Sequence, residues 1–379
     1  MRVSIAGGGV AGSVCAIALR RIGADVTVYE TYPDSAGDVG GFVSLATNGL
    51  RALDAVGLQD AVRAHGVDVP LQRIWSGGGK LLGENPRGRR STDPQHSITI
   101  RRAHLVSALR DAAADAGAHM VTGERVTDAA PAGDRVRITL GNGDTTDSDL
   151  LVGADGIWST TRALLDPDAP DPDYSGIRHV FGTSTTPTPP RAFNMIMGRG
   201  GAFAHLDAGD GSTWWAAQVL DPDPDSTLDL AALCDRYRHE DQALAVLAGA
   251  TDLQRPTRDH VLALVPTWHD DRIVLIGDAA HPVGAGQGAA MAIEDAIVLA
   301  QRLAAHPVPA ALAAYDRARR PRVTRMLKAG ADNRARKKAA GPLRRHLTDT
   351  VMSFGLKHFF DKATGWLYSY DVGELPVPA

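Results

Sequence analysis

Short apolar runs and amphipathic stretches alternate at the start of the chain. Residues 3–6 form an apolar run, apolar side chains recur at helical spacing over 10–22, and residues 25–29 form a second strand-like run. Gly23 is a plausible stop for the intervening helix. The pattern predicts a β-α-β unit within about thirty residues, the context in which a glycine-rich turn binds a dinucleotide.

The pattern of apolar and polar residues predicts further helices and strands up to residue 152. Apolar periodicity and glycine stops predict helices over 47–64 and 102–116 and a strand over 118–121. Asn142–Gly143 separates two strand-like runs, 135–140 and 145–152, and therefore predicts a β-hairpin. These elements extend the α/β pattern of the first thirty residues.

The pattern changes between about residues 172 and 269. Aspartate- and proline-rich stretches bracket short aromatic and apolar strands, predicted over 192–197, 202–206 and 213–219. After them, a strand over 272–276 and a long apolar helix over 288–305 return to the earlier pattern. The middle segment therefore predicts an antiparallel sheet inserted into a nucleotide-binding domain.

The predicted fold class is α/β, a Rossmann-like domain with an inserted, mostly antiparallel β-sheet domain and C-terminal helices. We expect residues 1–72, 96–171 and 270–325 to form the discontinuous nucleotide-binding domain. Residues 73–95 and 172–269 would form the substrate-binding sheet, and 326–379 a C-terminal helical segment. The arginines and lysines of the last sixty or so residues are interpreted as a solvated helix face.

The amino-acid composition excludes few classes of protein. The 379 residues exceed one typical domain, the net charge of −4 does not itself decide whether nucleic acid binds, and no apolar run reaches membrane-spanning length. Two cysteines cannot build a disulfide framework. We expect a cytoplasmic protein that binds neither nucleic acid nor membrane, and no metal site, because the Asp259–His260 and His269–Asp270 pairs are not spaced as ligands.

The glycines after the first strand have separate expected roles. Gly7 permits the tight turn, Gly9 lets a pyrophosphate approach the backbone, and Gly12 lets helix and strand pack closely. Val10 and Ala11 open the helix, whose N-terminus offers N–H groups to phosphates. Glu30 ends the second strand, where an acid reaches a ribose 2′-hydroxyl, so FAD or NAD is favoured over a 2′-phosphate.

Two further glycine–aspartate pairs follow strand-like runs. They are Asp155–Gly156 in GADGIWSTTR and Gly277–Asp278 in IGDAAHPVGAGQG. Ligand sites of open α/β sheets lie beyond the carboxyl ends of the strands. The chain is therefore expected to return three times to one dinucleotide.

With these motifs in this order, the chain resembles the FAD-dependent aromatic hydroxylases, the single-component flavoprotein monooxygenases typified by para-hydroxybenzoate hydroxylase. The resemblance covers about residues 2–325 and is weakest through the middle sheet. It implies FAD as cofactor, with Arg102 near the pyrophosphate, Asp155 supporting the flavin-binding fold and the passage of the nicotinamide donor, and Asp278 on the ribityl chain or its phosphate.

The resemblance also implies how the flavin ring is held. Backbone N–H groups of Gly286, Gln287, Gly288 and Ala289 would face the N1–C2=O edge, because a helix N-terminus stabilises the negative charge of reduced flavin. Pro282 and Gly284 would lie beside the ring as the catalytic positions. Thr31 departs from the family pattern on the adenine side, where it leaves one contact open, and Ala290 with a short loop over 281–286 leaves the ring contacts and the pocket shape open. His281 is interpreted as a packing residue.

The implied reaction is hydroxylation of an aromatic or polyketide-like small molecule with NADPH or NADH and O2, through a flavin C4a-hydroperoxide. No second glycine fingerprint is present, so the nicotinamide donor would bind transiently. Candidate substrate-binding residues on the predicted strands are Phe193, Met195, His205, Trp215 and Gln218. A reductase, epoxidase or halogenase of the same fold, or a non-catalytic FAD-binding protein, remains an alternative, and the oligomeric state is not predicted.

Overall fold

The computed structural model of the protein describes residues 1–33, 41–283, 286–337 and 342–376. The strands, numbered in chain order, are β1 (Arg2–Ala6), β2 (Asp25–Glu30), β3 (Phe42–Leu45), β4 (Val67–Asp68), β5 (Leu71–Ser76), β6 (Leu81–Pro86), β7 (Ile98–Arg101), β8 (His119–Thr122), β9 (Val126–Ala132), β10 (Arg135–Leu140), β11 (Thr145–Ser148), β12 (Leu150–Gly153), β13 (Asp173–Ser184), β14 (Ala192–Met197), β15 (Gly201–Asp207), β16 (Thr213–Leu220), β17 (Ala250–Leu253), β18 (Thr257–Val261) and β19 (Ile273–Leu275).

The helices are α1 (Val10–Arg21), α2 (Thr47–Asp54), α3 (Gln59–Ala64), α4 (Arg102–Asp115), α5 (Thr160–Leu165), α6 (Leu230–Arg236), α7 (Asp241–Ala248), α8 (Gly288–Ala305), α9 (Val308–Lys337) and α10 (Pro342–Tyr368). A short 3₁₀ turn covers Gly277–Ala279. None of the helices in the described ranges is both long enough and apolar enough to cross a membrane.

A five-stranded parallel sheet in the order β19-β12-β1-β2-β8 forms the centre of the α/β part. Ala6 lies beside Gly153, and Gly153 beside Leu275, so β1, β12 and β19 end at the same edge. Helices α1, α4 and α8 bury apolar faces in the main core of this part. The β-α-β unit predicted from residues 3–29 is confirmed, and the glycine-rich turn and the two glycine–aspartate motifs follow neighbouring strands of one sheet.

The inserted part is built on an eight-stranded sheet in the order β17-β13-β16-β15-β14-β5-β6, with β18 paired to β13. All its pairs are antiparallel except β5 with β14. One face packs on α6 and α7, with Phe203 and Trp215 at the centre of that cluster. The other face carries Phe193 and Trp214. This confirms the predicted mostly antiparallel insertion. The two faces of its sheet belong to two separate hydrophobic clusters.

Two predicted elements are each divided in the structure. The helix expected over 47–64 is split into α2 and α3, because Gly57 adopts φ +63° and the Leu58 amide donates back to Leu53. The run 145–152 contributes β11 to the predicted hairpin and β12 to the parallel sheet. Main-chain bonding of Asp149 to Arg2 marks the point where the chain changes sheets.

The basic C-terminal region differs from the expected solvated face. Arg319 on α9 is fully buried against Glu294 and Asp295 of α8, and Arg322 pairs with Glu294 at 2.8 Å. Arg317, in contrast, is exposed as expected. Helix α10 packs on β6 and α2, and the carbonyl of Tyr368 accepts a hydrogen bond from Arg51. The interpretation as a solvated face is wrong for Arg319 and Arg322, because these arginines pair with buried carboxylates of α8.

Candidate active site

The glycine-rich turn between β1 and α1 contains three glycines with different surroundings. A Cβ on Gly7, which has φ +99°, would lie 2.4 Å from the Ala154 carbonyl oxygen, and one on Gly12 would lie 1.9 Å from the Gly7 carbonyl oxygen. A Cβ on Gly9 would meet nothing within 4 Å. The first two glycines are therefore required by packing. Gly9 leaves open space before Val10 and Ala11, where the N-terminus of α1 attracts an anion.

Glu30 and Arg110 hold this turn through hydrogen bonds and an ion pair. The Gly8 amide donates to Glu30 Oε2 at 2.7 Å, and the Arg110 guanidinium lies 3.0 Å from the same oxygen. Arg110 Nε also donates to the Gly8 carbonyl oxygen at 2.7 Å. Glu30 thus orders the loop as well as standing at the end of β2. Sequence reasoning missed Arg110, whose only signal was its position about two turns after Arg102 on the same helix.

Asp155 closes the loop after β12. Its carboxylate accepts hydrogen bonds from the Ser159 hydroxyl at 2.5 Å and from the Thr161 amide at 2.9 Å. The buried Arg162 donates to the carbonyl oxygens of Ile157 and Ala279, which joins the second motif to the third. Asp155 therefore orders the loop between β12 and α5. Arg162 lay inside the recognised motif but was not selected as a site residue.

Asp278 lies beyond β19 at the same edge of the sheet. Its side chain reaches solvent, yet desolvation by the surrounding protein raises the pKa of the carboxyl, against smaller opposing effects of His281 and Arg102. A Cβ on Gly288 would lie 3.9 Å from Asp278 Oδ1. The predicted residues Arg102, Asp278 and Gly288 are therefore brought together at one end of the parallel sheet.

The start of α8 is held by buried amides. Gly286 has φ +70°, Gln287 is the N-cap residue, and Gly288 and Ala289 form the first turn. The Asn48 amide nitrogen donates to Gln287 Oε1 at 3.1 Å and to Glu294 Oε1 at 2.7 Å. Pro282 is half-buried, whereas Gly284 lies outside the described residues.

A buried charge network supports this helix. His281 Nε2 lies 2.6 Å from Asp295 Oδ2, and Arg319 Nε donates to Asp295 Oδ1 at 2.7 Å. The Gly277 amide also donates to Asp295 Oδ2 at 3.0 Å. Burial alone would raise the pKa of Asp295, but His281 and Arg319 outweigh it and lower this pKa to about 2. The network joins the loop carrying Asp278 to α8.

An aromatic cluster connects the α/β part with the inserted sheet. The Phe42 ring on β3 stacks on Trp214 at 6.1 Å and meets Phe181 and Phe193 edge-on at 5.7 and 6.2 Å. Strand β3 also contacts α8. The aromatic face of the inserted sheet therefore lies next to a strand that contacts α8.

The predicted substrate-binding residues are divided between the two faces of the sheet. Phe193, Met195 and Gln218 lie on the face that carries Trp214. Trp215 and His205 lie on the opposite face, where Trp215 packs on Phe203 and donates to the Thr183 carbonyl oxygen. Burial lowers the pKa of His205 to about 4. Because neighbouring strand residues point to opposite faces, Trp214 shares the face of the Phe42 cluster, whereas Trp215 and His205, which were expected beside a substrate, lie on the opposite face.

Comparison with known proteins identifies the family. The FAD binding domain family matches residues 1–330. Aurachin C monooxygenase/isomerase of Stigmatella aurantiaca is 32% identical over 330 residues, covering 84% of this chain and 85% of the relative. 3-Hydroxybenzoate 6-hydroxylase 1 of Aquipseudomonas alcaligenes is 30% identical over 347 residues, with 86% of each chain covered.

Solved structures agree on the fold. Klebsiella pneumoniae HpxO, crystallised with FAD and uric acid, superposes with a TM-score of 0.83 at 20% identity, covering 97% of each chain.

The chain belongs to the FAD binding domain family, and it is an FAD-dependent monooxygenase of the aromatic hydroxylase type. The open space at Gly9, the N-termini of α1 and α8 and the accessible Asp278 carboxyl fit FAD as the cofactor.

Proposed function

We propose that this monooxygenase hydroxylates a small aromatic compound, with NADPH or NADH as reductant and O2 as oxidant. The observation that carries the proposal is the position of β3. This strand contacts α8 on one side and places Phe42 in the aromatic cluster of the inserted sheet on the other. A planar substrate held by that cluster would lie next to a flavin bound at the N-terminus of α8.

The residues proposed to hold FAD come from three segments of the chain. Gly7, Gly9 and Gly12 with the first turn of α1 would bind the pyrophosphate, and Glu30 the adenosine ribose. Arg102 and Asp278 would contact the phosphate and ribityl region. The segments that supply them, 1–72, 96–171 and 270–325, form the proposed flavin-binding domain, and 73–95 with 172–269 form the proposed substrate domain.

FAD held by these residues would supply the redox chemistry, namely uptake of hydride from the nicotinamide donor and activation of O2, with one oxygen atom going to the substrate and the other to water. The chain's own contribution is positioning and charge. Main-chain N–H groups of Gly286 to Ala289 would stabilise negative charge at the ring edge, helped by the helix dipole. The aromatic cluster would orient the substrate ring and exclude water. Pro282 and Gly284 stay proposed as the positions beside the ring.

The test is anaerobic mixing of the purified flavoprotein with NADPH or NADH, alone and with a panel of phenolic and polycyclic compounds. Absorbance of oxidised flavin is followed, and O2 is then admitted. We expect one compound class to accelerate bleaching and to be recovered with one added oxygen atom. Asp278→Ala, which we expect to retain little FAD, serves as the inactive control beside the exposed Asp271→Ala.

Two outcomes would contradict the proposal. Flavin that no nicotinamide donor reduces, with any compound present, would indicate an enzyme reduced by another partner. Reduction without oxygen transfer to any compound would indicate a reductase of the same fold. A cytoplasmic location stays a prediction, and the same assay decides between NADPH and NADH.

A further inference from the structure

The first turn of helix α8 packs closely on the first turn of α2. A Cβ on Gly49 would lie 2.9 Å from the Cβ of Ala290, so the two helices leave no room for a larger side chain between them. Gln287, the N-cap residue of α8, is buried, but its side chain makes no capping hydrogen bond to its own helix. The first-turn N–H groups of α8 therefore lack the side-chain oxygen with which an N-cap residue satisfies such groups in many helices.

The Asn48 side chain on α2 determines where the Gln287 oxygen lies. Asn48 is 1% exposed, and its amide nitrogen donates to Gln287 Oε1 at 3.1 Å and to Glu294 Oε1 at 2.7 Å. An ionised carboxylate only accepts hydrogen bonds, so the nitrogen of the Asn48 amide, and not its oxygen, has to face Glu294. The Gln287 oxygen thereby accepts from Asn48 in place of an N–H group of its own helix.

Glu294 gives Asn48 a fixed acceptor. It is fully buried on α8, and Arg322 of α9 donates to its two oxygens at 2.8 and 2.9 Å. Arg319 Nη1 lies 2.8 Å from Glu294 Oε2. The hydrogen bond from Asn48 is thus made to a charged group held by two guanidiniums, and such bonds are about twice as strong as neutral ones. Asn48 therefore connects α2 with both the N-cap residue of α8 and the buried ion pairs to α9.

We propose that Asn48 is a positioning residue for the flavin, because it holds the Gln287 oxygen aside and keeps the first-turn N–H groups of α8 available to a negative charge. The inference rests on the proposed place of the flavin at the start of α8. Asn48 acts through Gln287 and not by contact with the flavin. Without Asn48, the Gln287 oxygen would turn to these N–H groups and weaken their binding of anionic reduced flavin more than their binding of oxidised flavin.

The test is the midpoint potential of the bound FAD, measured anaerobically on the purified holoenzyme against a reference dye. In Asn48→Ala, we expect reduced flavin to lose about tenfold more affinity than oxidised flavin, which lowers the two-electron potential by about 30 mV. Fluorescence titration of the apoprotein gives the affinity for oxidised FAD, and urea unfolding gives the stability. Asn48→Ser, which also removes the amide nitrogen, should shift the potential in the same direction and serves where Asn48→Ala does not fold.

Asn194→Ala is the matched control. Asn194 is 2% exposed and accepts a hydrogen bond from the Trp75 indole at 3.2 Å, but it lies on β14 of the inserted sheet. Both alanine variants should unfold at a lower urea concentration than the wild type, because each leaves a buried polar group without its partner. Only Asn48→Ala should lower the midpoint potential.

Gln287→Met tests whether Asn48 acts through Gln287. Methionine keeps the length of the side chain but has no amide oxygen, so it cannot compete strongly for the N–H groups of α8. Gln287→Met alone should therefore keep a potential close to that of the wild type. Adding Asn48→Ala to Gln287→Met should give much less than the tenfold change expected in the wild-type background, which is non-additive behaviour.

The inference fails if Asn48→Ala loses stability but keeps the wild-type potential, because Asn48 would then have a structural role only. It also fails if Asn194→Ala lowers the potential equally, or if Asn48→Ala shifts the potential as strongly in the Gln287→Met background. Loss of oxidised FAD from both folded Asn48 variants would contradict it too, because Asn48 would then be needed for the oxidised cofactor itself.

The potential is measured without nicotinamide donor, substrate or O2. The proposed function is tested separately, by flavin reduction with the donor and by oxygen transfer. Either proposal can therefore fail while the other holds.

Discussion

At the scale of single residues, the glycine-rich turn shows how one motif combines folding and binding requirements. Gly12 has no room for a Cβ, since that atom would lie 1.9 Å from the Gly7 carbonyl oxygen. Gly9 has φ −77° and ψ −164°, a conformation open to any residue, and free space around it. The turn therefore needs Gly12 in order to fold, whereas only a ligand would need glycine at position 9.

A pair of alanine variants tests this distinction. We expect Gly9→Ala to change the free energy of unfolding of the apoprotein by no more than about 0.5 kcal/mol, but to weaken FAD binding, because the new methyl group would occupy the phosphate approach. Gly12→Ala should destabilise the apoprotein by about 1–3 kcal/mol through overpacking. Urea unfolding and FAD fluorescence titration measure the two effects. Full FAD affinity in Gly9→Ala would show that no phosphate approaches this position.

At the scale of elements, helix α8 combines two functions along its length. Its first turn offers main-chain N–H groups at the site, while Glu294 and Asp295, two turns later, anchor it to α9 through Arg319 and Arg322. Because His281 also contacts Asp295, the loop carrying Asp278 is tied to the same carboxylate. We infer that these buried charges hold the loop that carries Asp278 at a fixed position relative to the N-terminus of α8.

This arrangement predicts a pH-dependent stability difference between the wild type and Asp295→Asn. The pKa of Asp295 in the folded protein, about 2, lies below the unfolded value of about 3.9. Its ionised form therefore contributes stability that is fully present above about pH 4 and is lost as the pH falls towards 2. Near neutral pH, we expect Asp295→Asn to cost about 3 kcal/mol, because Arg319 loses one of its two buried carboxylate partners and keeps only Glu294.

The measurement is the free energy of unfolding of the FAD-saturated proteins between pH 3 and 7. The difference between wild type and Asp295→Asn should shrink at the acid end of this range. The exposed Asp271→Asn serves as the control and should show no such trend. A difference that is constant with pH would mean that the Asp295 charge does not stabilise the fold.

At the scale of the whole molecule, the nucleotide site is assembled from distant parts of the chain. Strands β1, β12 and β19 are neighbours in one sheet but belong to segments separated by more than a hundred residues. Each segment supplies one glycine–aspartate motif or glycine turn at the shared edge. A bound FAD would therefore contact segments that are joined only through the tertiary structure.

We expect removal of FAD to lower the melting temperature of the whole α/β part. A ligand that binds only the folded state adds about 2.7 kcal/mol when its free concentration is a hundred times its dissociation constant. Thermal unfolding followed by circular dichroism, with FAD titrated into the apoprotein, gives the shift. The Gly9→Ala protein should need more FAD for the same shift. A melting temperature independent of FAD would contradict the proposed three-segment site.

Features that depend on local pattern could be predicted from the amino-acid sequence alone. The strand over 192–197 and the helix over 288–305 have the predicted bounds, because apolar periodicity and glycine or proline boundaries lie within each segment. The motifs at Gly7–Gly12, Asp155 and Asp278 were placed at the ends of strands for the same reason. Their shared edge followed from the rule for parallel sheets.

Which side chains share a sheet face with the Phe42 cluster depends on packing between distant segments. Trp214 and Trp215 are adjacent and chemically alike, so the sequence could not show that Trp214 meets Phe42 while Trp215 packs on the opposite face. Arg110 reaches Gly8 across 102 positions, and the Arg319 contact with Asp295 joins two separate helices. Strand faces and buried ion pairs depend on which distant segments pack together, and local propensity carries no information about that choice.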